Sequence, residues 1–153
     1  MTVYRGFPSR LRHEVPHWVE QGAWFHIRIA LDRSIQQRML SEDGLAQPLL
    51  ESATFYQINQ LWHIGIFLLM PDHLHAVISF GREKKMSGLI RDWKRFHARK
   101  HSVLWQEDYF DHRLRNDERA DQLSSKINYI RQNPVVAGLC NTADDWKWKI
   151  DQL

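Results

Sequence analysis

The segment MPDHLHAVISF, residues 70–80, carries two histidines one residue apart, directly after a Pro-Asp pair. Side chains alternate faces along a β-strand. As a strand, the segment places His73, His75, Val77 and Ser79 on one face and Leu74, Ala76, Ile78 and Phe80 on the other. The second face is apolar throughout and makes a core. The first presents two imidazoles side by side, and two such rings can aim their nitrogens at one metal ion. A single histidine on a strand is usually structural. Two on one face at the head of a strand make metal ligation an equal competitor to that reading.

The neighbouring residues narrow the choice. A histidine-triad nucleotide hydrolase needs a third alternate histidine, and position 77 is Val. A cupin needs a glutamate four or five residues after the second histidine, where Ser79 and Phe80 stand. A structural zinc site wants cysteines, and Cys140 is the only one. What is left is a two-histidine site completed by an oxygen ligand from elsewhere in the chain.

The segment NDERADQLSSKINYIRQNP, from Asn116, has the period of a helix. Ala120, Leu123, Ile127 and Ile130 form its core stripe. Tyr129 lies roughly 120° from the stripe's centre, at about 100° per residue. Gln122, Lys126 and Asn133 share its flank. Tyr129 and Asn133 are four apart, hence neighbours on the helix surface. A phenol hydroxyl thus sits beside an amide oxygen, with an ammonium nearby. Taken alone, this is equally a surface tyrosine packing on its own helix. Tyr56 and Gln60 have the same spacing, so spacing does not choose between them; Tyr109 has Arg113 in the corresponding place.

The elements that must position these residues can be read in order. Residues 1–22 are polar, rich in Arg and His, and read as an extended basic arm; residues 23–153 read as a single domain. AWFHIRIAL (23–31) is a first strand, with Trp24, His26, Arg28 and Ala30 on one face. One or two helical stretches follow between about Ser34 and Leu61, interrupted near Asp43-Gly44. HIGIFLLM (63–70) is nearly all apolar, as a strand covered on both sides should be. Pro71-Asp72 suits the middle of a type I turn, making a hairpin with the histidine strand. Ser87 is placed to cap a helix running to about His101, with Leu89, Ile90, Trp93, Phe96 and His97 inward. QEDYFDHRLR (106–115) is a short strand. Asn116 or Asp117 then caps the tyrosine helix, and Pro134 ends it. The tail, with Trp146 and Trp148, is short and amphipathic. This order predicts an α+β, ferredoxin-like antiparallel sheet with helices on one face, the other face left for a ligand.

Composition sets outer bounds. The 153 residues are 43% hydrophobic and 25% charged, as in an ordinary globular domain. No apolar run approaches a membrane span, and the N-terminus lacks the apolar segment of a secretory signal. One cysteine excludes an internal disulfide and fits a reducing cytoplasm. A net charge of +3 permits nucleic-acid binding without demanding it.

Read together, LLMPDHLHAVI, YFDHRLRNDE and INYIRQNPVVAGL resemble the single-tyrosine HUH transposases, and most of all the REP-associated tyrosine transposases of bacteria. The likeness runs from about Gly22 to Trp148 and leaves the N-terminal arm unmatched. It implies that His73 and His75 are the HUH pair with Leu74 between them, that Tyr129 is the nucleophile and that Asn133 is the third, polar metal ligand. It also implies Mg²⁺ or Mn²⁺ as cofactor and single-stranded hairpin DNA of the REP type as substrate. The expected reaction is metal-dependent nicking and strand transfer through a 5′-phosphotyrosine. A domesticated protein that binds structured single strands without cutting is the alternative. Either a monomer or a homodimer is compatible with the resemblance.

Candidate DNA contacts come from the basic residues. Arg91, Lys94, Arg95, Arg99 and Lys100 make RDWKRFHARK a cationic helix that could track a phosphate backbone. Arg113, Arg115, Lys126 and Arg131 lie close in sequence to Tyr129 or on its helix, and the arm adds Arg5, Arg10 and Arg12. A solvated face is the plain reading of such a helix.

Overall fold

A computed structural model describes residues 23–81, 85–114 and 121–153. The expected basic arm, Arg115 and the expected caps Asn116 and Asp117 lie outside these residues. The elements are β1 (Trp24–Ala30), α1 (Asp43–Ile58), β2 (Trp62–Leu69), β3 (His73–Phe80), α2 (Met86–His101), β4 (Phe110–Leu114), α3 (Asp121–Val136), a 3₁₀ turn (Ala143–Asp145) and β5 (Lys149–Asp151). The strands form one sheet in the order β4-β1-β3-β2-β5, with every pairing antiparallel. The first four are the βαββαβ arrangement of a ferredoxin-like domain, as the sequence predicts.

Alternation along the strands divides the core in two. Ile27, Ile29, Leu74, Ala76 and Ile78 face α1 and α2, meeting Leu45, Leu49, Leu50 and Ala53 of the former and Ile90 and Trp93 of the latter. Trp24, Ile66, Leu68 and Val77 face the other way and meet Ile127 and Ile130 of α3. All eight residues of β2 are buried, which is why its sequence shows no alternation. Each fully buried aliphatic side chain of α3 contributes about 1.5–3 kcal/mol to holding that helix on the sheet. Leu123, Ile127 and Ile130 of the expected stripe do pack there, so α3 covers part of the face that carries the two histidines.

Several local expectations change. Residues 34–42 are not helical: the Asp32 carboxylate takes the Ser34 N–H and hydroxyl, and the Leu40 N–H bonds to the Pro71 carbonyl. Helix α1 starts only at Asp43. Ser87 lies inside the first turn of α2, whose cap position is Lys85. The inner face of α2 holds Lys94 where Phe96 was expected, and Phe96 is half exposed. Pro134 does not end α3. The helix runs on to Val136 and is closed by Gly138 at φ 75, with Leu139 N–H bonded to the Pro134 carbonyl and Gly138 N–H to that of Val135. This is a Schellman closure, in which the left-handed glycine rather than the proline sets the end. The tail forms a strand: β5 pairs with β2, Trp148 enters the core, and the Trp146 indole N–H bonds to the Leu69 carbonyl.

Candidate active site

The β2–β3 hairpin joins its strands through Pro71 and Asp72, and the Met70 N–H bonds to the His73 carbonyl. Both linking residues are pinned from outside: Leu31 N–H bonds to the Asp72 carbonyl and Leu40 N–H to that of Pro71. His73 and His75 therefore start from a fixed strand end. Their ring centroids are 4.9 Å apart with planes nearly perpendicular.

Each ring has a partner on Nδ1. The His73 Nδ1 lies 2.7 Å from the Asp72 carboxylate, which also pairs with Arg33. An ionised carboxylate only accepts, so His73 Nδ1 carries the proton and Nε2 keeps its lone pair. Burial works against the charge on Asp72, but the His73 hydrogen bond, the His73 ring and the Arg33 guanidinium outweigh it and hold the carboxyl below its ordinary range. The His75 Nδ1 lies 3.0 Å from Nε2 of His26 on β1, with the rings stacked at 23°. Among the described residues, no hydrogen-bond partner faces the Nε2 of either His73 or His75.

Burial is the main reason that all three imidazoles stay neutral. It lowers the pKa of His73, and takes His75 to about 3 with help from His73, His26, Arg28 and Lys126. His26 falls to about 4 through burial and the charges of Lys126, His112 and Arg28. The same charges mark the site as electropositive: Arg28 sits directly across from His75 in the β1–β3 pairing, and Lys126 reaches over the Tyr129 ring at 5.1 Å.

Helix α3 brings Tyr129 to this surface. Its ring centroid is 6.4 Å from that of His75, and the residue is 59% exposed, so the phenol is open to a large substrate. Asn133 lies one turn further along α3 and is half-buried. The competing tyrosines are elsewhere. Tyr56 packs on Trp62, and Tyr109 packs against the same core on the opposite face of the sheet.

The residues fit a divalent cation. Two neutral imidazoles share one strand face, each with Nδ1 engaged and, among the described residues, no partner on Nε2, which is the donor chemistry such an ion takes. Among the described residues no group of three or more His, Cys, Asp or Glu is arranged for a metal.

The basic residues scatter. Lys126 stands at the site. Arg91, Arg95 and Arg99 are exposed, but α2 lies on the far face of the sheet from the histidines. Arg113 is exposed on the edge strand β4 opposite Phe25, hence also on the far face. Lys94 is turned inward, and its ammonium donates to the carbonyls of Gln106 and Glu107. Arg131 is held by both oxygens of Asp151 and by the Leu153 carbonyl. Sequence reasoning passed over His26, Arg28 and Asp72. The signal was present for the first two, since they share a face of β1, but not which strand β1 would pair with.

No protein-family model and no curated protein sequence matches the chain. Among solved structures, it is similar to one described as a REP-associated tyrosine transposase bound to a REP hairpin. That match has a TM-score of 0.69 and 20% identity, and covers 97% of this chain and 82% of the other. A putative transposase from Deinococcus radiodurans also aligns, with a TM-score of 0.46 and 13% identity, over 78% of this chain and 95% of that one. The chain has the fold of the first of these structures.

Proposed function

We propose that the protein is a metal-dependent single-stranded DNA endonuclease and strand transferase that cuts and rejoins hairpin DNA of the REP type through Tyr129. The observation that carries this reading is the meeting, on one electropositive surface, of an exposed Tyr129 with His75 of the neutral histidine pair. Similarity of fold to a hairpin-bound tyrosine transposase supports it.

In this reading His73 and His75 hold the cation through Nε2, with Asn133 as the oxygen ligand. A Mg²⁺ or Mn²⁺ held there would neutralise the anionic oxygens of the scissile phosphodiester. The Tyr129 Oη attacks phosphorus and its proton passes to water. The P–O3′ bond breaks as O3′ takes a proton back from water, leaving a 3′-hydroxyl on one strand and a 5′-phosphate on Tyr129. Attack by a 3′-hydroxyl reverses the step, so joining needs no ATP. Lys126 and Arg28 add positive charge that attracts the strand. A neutral donor set leaves most of the cation's charge available to phosphate.

The test is a denaturing gel of end-labelled hairpins with varied flanks, in Mg²⁺, Mn²⁺ or EDTA. A nick and a protein-linked band are expected with metal, both lost in Tyr129→Phe and His73→Ala. Tight binding without a nick under any metal and flank would move the protein to the non-catalytic binders.

A further inference from the structure

The two histidines of the pair are supported differently, one by a carboxylate and one by a third histidine. The geometry points to His26 as the positioning residue of the site: its Nε2 accepts the His75 Nδ1 proton, fixes that tautomer and ring plane, and leaves His75 Nε2 as the donor to a divalent cation. The role towards metal rests on the function proposed above, whereas the orientation of His75 does not.

Only one hydrogen can lie between the facing nitrogens, 3.0 Å apart, so the two tautomers are coupled. If His26 donated, His75 would carry its proton on Nε2 and could not ligate. The arrangement at His73 has already settled the matching choice, because Asp72 can only accept. With His26 accepting, both strand histidines present the same nitrogen. His26 is built to hold its position. It is 6% exposed, its ring stacks on His75, and the Phe110 ring meets it edge-on at 5.5 Å. It stands on a strand paired on both sides, opposite Val77 of β3 and His112 of β4. Sites carried on rigid strands are placed more accurately than sites on loops. Outer partners of this kind typically affect metal affinity by about 10–100-fold.

The test compares wild type with His26→Phe, which keeps a stacking ring but has no acceptor, and His26→Gln, which restores an acceptor oxygen. His75→Ala is the control for metal loss. Long-range ¹H–¹⁵N spectra of the metal-free protein report the His75 tautomer, and Mn²⁺ titration followed by electron paramagnetic resonance reports affinity. The expected wild-type result is a proton on His75 Nδ1, mixed tautomers in His26→Phe, and Mn²⁺ binding about 10–100-fold weaker there with partial recovery in His26→Gln. A wild-type proton on His75 Nε2 overturns the proposal, as does unchanged Mn²⁺ affinity in His26→Phe when His75→Ala loses it. Should wild type bind no Mn²⁺ while His26→Phe still scrambles the tautomer, the metal reading fails and the orienting role stands. If His26→Phe does not fold, the wild-type tautomer and the His26→Gln comparison decide.

Discussion

Tyr129 and His97 show how burial sorts residues of similar chemistry into different work. Tyr129 is exposed beside a neutral imidazole pair, while Tyr56 and Tyr109 pack against the core. His97 is fully buried on α2, with Nε2 2.6 Å from the Ser52 hydroxyl, which also receives the Trp93 indole N–H. Among the described residues its Nδ1 has no hydrogen-bond partner. Burial first, then the nearby His101, pushes its pKa down from 6.5 to about 3. The unfolded chain therefore takes up a proton at higher pH than the fold does. Stability from His97 is complete above the unfolded value and is lost as pH falls through the window between the two. His26 and His75 act in the same direction. Urea midpoints measured from about pH 8 to about pH 5 should fall with acidification, and less steeply in His97→Gln. An equal slope in that variant would remove His97 from the explanation.

Among the elements, α3 has the most depending on its placement, since it carries Tyr129 to the face of the two histidines. Its apolar stripe supplies adhesion, but apolar packing is non-directional and leaves rotation weakly determined. The forked pair between Arg131 and Asp151 of β5, at 2.6 and 2.8 Å, adds direction. Both side chains are mostly shielded, at 26% and 17% exposure, so the pair is stronger than an ordinary surface contact. Arg131→Met should cost about 1.5–3 kcal/mol in chemical denaturation, through loss of charged hydrogen bonds and an unpaired Asp151. Nicking should fall further than the folded fraction does, because Tyr129 loses register with His75. A variant that loses stability but nicks normally per folded molecule would show that the stripe alone sets the helix.

For the whole molecule, the sheet is a divider. The histidines and Tyr129 occupy one face, and the exposed Arg95, Arg99 and Lys100 of α2 lie on the other. Those cations are thus remote from Tyr129, and in the function proposed above any DNA they hold is a part of the substrate that wraps away from the cut. Replacing Arg95 and Arg99 with alanine should weaken hairpin binding and reduce the salt slope of log K by about one to two. Cleavage of a short unpaired strand at saturation should stay unchanged. A fall in that rate instead would place the α2 cations at the reaction.

Much of this was legible in the sequence. The alternation of HLHAVISF determined which residues would share a face with the histidines, and the 3.6-residue period separated Tyr129 from Ile127 and Ile130. Local periodicity is written residue by residue, and burial on one side enforces it. The C-terminal strand was not legible, because three residues are too few for a period and β5 exists only against the edge of β2. The end of α3 was misread because the proline rule is a local preference, while Gly138 offered the lower-energy closure. The resemblance in sequence already favoured Tyr129, but the packing of Tyr56 and Tyr109 on the core, the nearness of Tyr129 to His75 and the contact of His26 with His75 needed the tertiary structure. All three depend on which strands and helices meet, and long-range pairing is set by the packing of the whole core rather than by any one segment.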